Sequence, residues 1–319
     1  MRVLKIAFLP AVLILLSCSK KGNAPVSVVP VTATDTSGYP PYQWKEHWFS
    51  HDQLLTRVFF DSGLAVYFDK DMYNFIEWPS TYLDSVWKYT KKVYGKFGTD
   101  ERLFAVFHAG KNDYSGGHPF TFFDESHDFR NGIDVGSALP DGWVSGAGND
   151  IDISTHEVGH IVEGASKGVH NSPAFGLWGD SKWMEIFQYD VYLGLGRKED
   201  AARWYKMMVD PNHSDDFPSA NAHWFRDWWY PMYTQFGGAR LLNAYFTLLS
   251  ENFPTRTYMG DYREYTRDLN WGEFIHFWSG AAGTSLRDLT TKAFGWTPEW
   301  EAQFQQAKID FPNIGYTGK

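Results

Sequence analysis

The reading turns on Ile151-Asp152-Ile153-Ser154-Thr155-His156-Glu157-Val158-Gly159-His160-Ile161-Val162-Glu163-Gly164. Within it, His156 to His160 has the pattern H-E-x-x-H. On a helix, residues four apart sit about 40° apart around the axis, so both imidazoles leave one face. Two neutral imidazoles at roughly 2.0–2.1 Å make half of a tetrahedral zinc shell. Glu157 lies about 100° round from His156. There it reaches a water at the metal without joining the ligands, which is the place of a general base. Ile151, Ile153, Val158, Ile161 and Val162 supply the apolar residues of a buried helix. Ser154 or Thr155 is expected to cap its start and Gly164 to end it. The spacing predicts a hydrolytic site with one Zn2+ per chain.

Outward from this motif, the chain begins with Arg2, Lys5 and an apolar run from Ile6 to Leu16. That is the layout of an export signal, too short to span a bilayer as a stable helix. It ends in Leu15-Leu16-Ser17-Cys18, which resembles a bacterial lipobox. The resemblance implies cleavage before Cys18, acylation of that cysteine (palmitate among its chains) and a membrane attachment through the lipid anchor alone. Ser19-Lys20-Lys21 lacks an acidic run that would resemble a surface-export signal. The expected address is therefore the cell envelope of a Gram-negative bacterium, on the outer membrane and facing the periplasm. Cys18 is the only cysteine, so the mature chain has no disulfide and no thiolate ligand.

Removing residues 1–17 takes two of the 29 cations and none of the 38 acids, leaving a net charge of −11. An acidic surface argues against nucleic acid as a partner. Aromatics make up 18 % of the chain, with 15 Trp. Exposed rings of this kind stack on sugars, but most such side chains are buried, so a thick aromatic core is the expectation.

Residues 18–43 read as a tether of Ser, Lys, Gly, Pro, Val and Thr without helical period. From 44 to 150 the signals are mixed. Arg57 to Phe60 and Leu64 to Phe68 flank an Asp61-Ser62-Gly63 turn; Thr81 to Phe97 has helical spacing. Leu103 to Phe107 reads as a central strand, Pro119 to Phe123 and Gly132 to Val135 as further strands. From 151 to 312 the signals are mostly helical: the zinc helix, then Ser181 to Leu193, Glu199 to Val209, Trp224 to Tyr233, Ala239 to Asn252, Trp271 to Ala281, Ser285 to Phe294 and Pro298 to Ala307. Sheet first and helices second is the order of an α+β fold of two lobes with a cleft between them.

A hydrolytic zinc site has three protein ligands and an open position. Glu163, His170, Asp180, Glu185 and Asp190 are the residues that can supply the third. The metzincin pattern H-E-x-x-H-x-x-G-x-x-H is not met, because Glu163 stands at its Gly and Ser166 at its last His. The motif, with Trp183-Met184-Glu185-Ile186-Phe187 on the next helix, resembles the gluzincins, the thermolysin-like zinc peptidases. Phe274 to Leu286, followed by Phe294-Gly295-Trp296, is similar to the C-terminal helices of enhancin-like, mucin-degrading peptidases, and the element order to plant basic secretory proteins. The resemblance implies a two-lobed zincin with His156, His160 and Glu185 as ligands and Glu157 as base. It implies an acid one turn beyond, Asp190, orienting a zinc histidine; Glu163 is the alternative for that part. It also implies an edge strand above the metal that pairs with substrate, for which Gly116 to Phe123 is the candidate.

His223, Tyr230 and Tyr233 are the candidate donors to an oxyanion. The function expected is a zinc metallopeptidase acting on a peptide, protein or glycoprotein. The rival is a lipoprotein of the same scaffold that binds glycans or peptides with little catalysis.

Overall fold

Leu103-Phe104-Ala105-Val106-Phe107-His108-Ala109 is buried along its whole length, as a strand covered on both faces must be. In the computed structural model, which describes residues 39–110, 114–139 and 141–318, it lies at the centre of a six-stranded sheet. The strands are β1 (Gln43–Lys45), β2 (Leu54–Phe60), β3 (Leu64–Phe68), β4 (Leu103–Ala109), β5 (Gly116–Phe120) and β6 (Asn131–Ser137). Their order is β1-β2-β3-β4-β6-β5. β3, β4 and β6 are parallel, and the crossover from β3 to β4 carries α1 (Trp78–Tyr94). β1 and β2 are antiparallel to their neighbours, and so is the edge strand β5. The expected turn between β2 and β3 forms because Asp61 accepts from the backbone N–H groups of Gly63 and Leu64 at 2.7 and 2.8 Å.

The helices follow: α2 (Asn149–Ala165), the short strand β7 (Val169–His170), α3 (Phe175–Trp178), α4 (Lys182–Gly194) and α5 (Lys198–Met208). A π-helical stretch, Trp224–Trp229, runs into α6 (Tyr230–Phe236). Then come α7 (Ala239–Asn252), the hairpin of β8 (Thr255–Tyr258) and β9 (Tyr262–Tyr265), α8 (Trp271–Ala282), α9 (Arg287–Phe294) and α10 (Pro298–Asp310). This is the expected α+β class. β7 and β9 pair in parallel, giving a second, three-stranded sheet.

Alternation along the strands sorts the sheet's two faces. Leu103, Ala105, Phe107, Ile133 and Val135 join the large core beneath the helices. Phe104, Val106 and Phe120 join a smaller cluster on the other face with Trp44, Trp48 and Tyr67. Residues Pro40–Lys319 form one compact unit. Its large core runs from Leu64 to Ile314, so residues 44–150 and 151–312 share it. Thirteen of the 15 Trp are buried and the other two, Trp78 and Trp296, are partly buried, so the tryptophans are core, while Tyr42, Phe49, Tyr73 and Phe75 are exposed.

Several boundaries differ from the reading of the sequence. The tether does not extend to 43: Gln43 already pairs with Thr56, and the carbonyl of Pro41 accepts from the Tyr67 hydroxyl at 2.7 Å. Ser154 and Thr155 do not cap α2. They lie inside it, their hydroxyls bonded back to the carbonyls of Asp150 and Ile151, and Gly148 takes the cap position with φ of 57°. β5 begins at Gly116, three residues before the expected strand. Residues 1–17 and Cys18 lie outside the described residues. Among those described, no helix is long and apolar enough to cross a membrane.

Candidate metal centre

α2 is buried almost all round, with Ile151, Val158, Ile161 and Val162 fully enclosed. Asp150 and Asp152 in its first turn suit the positive end of the helix dipole. Gly159 has a packing reason. A Cβ there would lie 2.4 Å from Met184 Sδ and 2.8 Å from Phe187 Cδ1, so α4 crosses at the one position of the motif without a side chain.

The two imidazoles emerge together, ring centroids 5.0 Å apart and tilted by 67°. His160 Nδ1 lies 3.0 Å from Glu163 Oε2. The other oxygen of Glu163 accepts from the Ser172 hydroxyl at 2.8 Å and from the Trp178 indole N–H. A carboxylate in that setting accepts, so His160 donates from Nδ1 and keeps Nε2 for a metal. Of the two acids considered for orienting a histidine, Glu163 is the one in contact with one.

Nε2 of His160 faces Asp180 Oδ1 at 3.4 Å. Donor atoms of His156, His160 and Asp180 all lie within 4.8 Å of one another, a group that could hold a metal ion. Asp180 follows Gly179 (φ of 61°) in the turn before α4, and its side chain is 76 % exposed. That exposure leaves one side of the site open to solvent. Burial holds the His156 ring well below its ordinary value, at about 4, aided by the neighbouring His160, so it is neutral near pH 7. For His160 burial works the same way, but hydrogen bonds to Asp180 and Glu163 outweigh it and raise the ring to about 9. A metal would take the place of that proton.

Glu157 sits apart from this group. Glu157 is only 4 % exposed, and burial raises its carboxyl to about 7 against the pull of His160. It lies directly over β5: a Cβ on Gly117 would be 2.6 Å from Glu157 Oε1. β5 pairs only with β6, which makes it the expected edge strand. Beside His160 a cleft of about 650 Å³ opens between Pro119 and Thr121 on one side and Tyr265 to Asp268 on the other.

Other sequence candidates take different places. Glu185 does not lie with the two histidines, whereas Asp180 does. Glu185 Oε1 accepts from Lys182 at 2.8 Å and lies 3.2 Å from His213 Nε2, while Oε2 is buried without a hydrogen-bond partner among the described residues. Asp190 does not orient a metal-site histidine. It accepts from the hydroxyls of Tyr89 at 3.0 Å and Tyr233 at 2.6 Å, tying α4 to α1 and α6. Tyr233 is thereby committed away from an oxyanion, and the Tyr230 ring packs among Tyr189, Tyr205 and Phe225. His223 is buried ahead of the π-helical stretch, its Nδ1 without a hydrogen-bond partner among the described residues. His170 lies 3.2 Å from Glu264 and stacks on Tyr258. The importance of Gly117 was visible only as a Gly116-Gly117 pair.

No protein-family model matches the chain, and no curated protein matches it. Among solved structures it is similar to the crystal structure of a mutant of a functionally unknown conserved protein from Bacillus anthracis, with a TM-score of 0.48 and 12 % sequence identity. The likeness covers 83 % of this chain and 53 % of that one, so the chain spans about half the length of that protein.

Proposed function

We propose that this chain is a zinc-dependent metallopeptidase. The observation that carries the reading is the arrangement of His156, His160 and Asp180 around one point, with Glu157 buried separately against an edge strand. Two imidazoles and one carboxylate suit zinc, and the exposed side of Asp180 leaves room for water and substrate. His160, aimed by Glu163, fits a ligand that binds through Nε2. Bound there, zinc supplies Lewis acidity towards a water and towards a carbonyl oxygen.

The chain's own residues supply the rest. Glu157 accepts the proton of the attacking water and delivers it to the leaving amine. Its burial keeps the carboxylate from competing solvent and brings its proton affinity near neutrality. β5 receives an extended peptide by strand addition, and Gly116 and Gly117 let that backbone approach closely. The substrate class is therefore a peptide segment, in a protein or glycoprotein. With the Trp side chains in the core, the rival reading of a glycan binder rests on exposed Tyr and Phe rings alone. We further propose anchoring through acylated Cys18 in the cell envelope.

Glu157→Gln tests the reading. The change is nearly isosteric, so the variant should keep its metal and its melting temperature. Peptide turnover should fall roughly 10²–10⁴-fold. A chelator should abolish wild-type activity, and zinc should restore it. Equal hydrolysis of a broad peptide library by wild type and Glu157→Gln would overturn the assignment.

A further inference from the structure

A second set of ligating side chains lies across the sheet from α2. His108 is on β4 and Asp134 on β6; Glu46 follows β1, and His51 sits in the loop that leads to β2. One donor atom from each lies within 4.8 Å of all the others. Strand alternation puts His108 on the face of Phe104 and Val106, and Asp134 opposite to Ile133 and Val135. That is the face away from the helices. Glu157 meets the sheet from the other side, over Gly117. The two sets are therefore separated by the thickness of the sheet.

The donors converge closely enough to share one ion. His108 Nε2 lies 3.0 Å from Glu46 Oε1 and 3.0 Å from Asp134 Oδ1. His51 Nδ1 lies 3.2 Å from Asp134 Oδ2 and 3.5 Å from Glu46 Oε1. Donors in a tetrahedral shell of 2.0–2.2 Å bonds stand roughly 3.3–3.6 Å apart, so the set must open by a few tenths of an ångström to admit an ion. His108 Nε2 and Glu46 Oε1 are buried and face each other and Asp134 Oδ1, contacts that close only through positive charge, a proton on His108 or a metal ion. With His108 and Glu46 only 1 % and 2 % exposed, two carboxylates and two imidazoles this close need positive charge among them, and a divalent ion supplies it in place of a proton.

The far sides of three of the four donor groups are already held. His108 Nδ1 lies 3.2 Å from Asp69 Oδ2, which fixes the tautomer that leaves Nε2 free. The Trp48 indole donates to Asp134 Oδ2 at 2.8 Å, and the Gln53 N–H to Glu46 Oε2 at 2.8 Å. Outer partners that aim each ligand are the usual companions of a metal site.

We propose that Glu46, His51, His108 and Asp134 bind a second divalent cation of the zinc class. Two imidazoles among the donors disfavour calcium and magnesium, which take oxygen shells. Four protein donors close the shell, so this ion is structural rather than hydrolytic. It joins the 46–51 segment to β4 and β6. Asp134 is also the register partner of His118 on β5, so the ion braces the strand that carries Gly117 beneath Glu157. The inference does not rest on the peptidase reading.

The test strips the purified full chain, held in detergent, with a chelator, reloads it with zinc alone and counts bound metal by mass spectrometry. Wild type should retain two zinc ions. His156→Asn/His160→Asn should retain one, and removing it should lower the melting temperature of that variant. Asp134→Asn should retain one as well. If Asp134→Asn does not fold, the milder His51→Gln decides. It should weaken one zinc by at least the roughly 10–100-fold that loss of an outer partner costs. One zinc in wild type and none in His156→Asn/His160→Asn would overturn the second site. One zinc in wild type that persists in His156→Asn/His160→Asn would uphold it while removing the metal from the proposed peptidase.

Discussion

Gly117→Ala separates the position of Glu157 from every other feature of the centre. A Cβ at 117 would stand 2.6 Å from Glu157 Oε1, 2.8 Å from its Cγ and 2.9 Å from its Cδ. Ordinary contacts to a Cβ begin at 3.4 Å, so the carboxylate must withdraw by about 0.8 Å. Gly117 is not among the residues of positive φ, so alanine fits the backbone. A compatible Gly→Ala change stabilises by roughly 0.4–1 kcal/mol through the unfolded chain. Pushing one side chain off its rotamer costs roughly 0.5–1.5 kcal/mol. The two nearly cancel, and the melting temperature should hardly move. Activity should move greatly, because a misplacement of about 1 Å costs roughly 10²-fold. We expect kcat/KM on a peptide substrate to fall by about that factor with the zinc count unchanged. Full activity with normal zinc would refute Glu157 as a base acting from above β5. Loss of zinc would refute the separation of Glu157 from the ligands.

Asp180→Ala should lose zinc from the first site, because two imidazoles alone do not hold it tightly, whereas Glu185→Gln should retain it; metal analysis of the two variants checks this. Gly159→Ala should destabilise by about 1–3 kcal/mol in denaturant titration, since the new methyl would overlap Met184 and Phe187 where α2 and α4 cross. Asp190 gives a pH dependence of stability. Burial raises its carboxyl from 3.8 to about 6 despite the two tyrosine hydroxyls, so the folded state holds a proton that the unfolded chain releases earlier. Its contribution is present below about pH 4 and is lost as pH rises through 6, by at most about 3 kcal/mol. Relative to Asp190→Asn, wild type should lose stability between pH 4 and 7, read as the difference in melting temperature across that range.

What could be read from the sequence depended on how local each signal was. Leu103 to Phe107 and Leu64 to Phe68 are unbroken apolar runs, and both became central strands. Asp61-Ser62-Gly63 carries its own turn chemistry, and the hairpin followed. Thr255-Arg256-Thr257-Tyr258 and Tyr262-Arg263-Glu264-Tyr265 went unread, although Thr and Tyr favour strands and Gly260, at φ of 71°, marks the turn between them. They lie among long helices, and a two-stranded ribbon without a buried run is easily read as a loop. Ser154 and Thr155 were misread for a related reason. Both residue types cap helices, but a hydroxyl can equally bond to the carbonyl four residues back, and Asp150 and Ile151 extend the helix ahead of them.

The centre divides along the same line. His156, Glu157 and His160 fall within one helical turn, so their shared face follows from periodicity alone. The third position depends on how the chain returns to that face. Glu185 lies in the first turn of α4 with Lys182 three residues before it, and that cation with His213 holds its Oε1. Asp180 precedes the helix, where Gly179 turns the backbone and leaves the acid free to point at His160. A lysine at i−3 is thus a local sign that an acid has a partner, and a glycine just before an acid is a sign that the chain turns there. Neither sign was available for Glu46, His51, His108 and Asp134. Their convergence depends on β4 lying beside β6 and on the 46–51 segment crossing the far face of the sheet. Strand order and register make that neighbourhood, and no spacing along the chain encodes it.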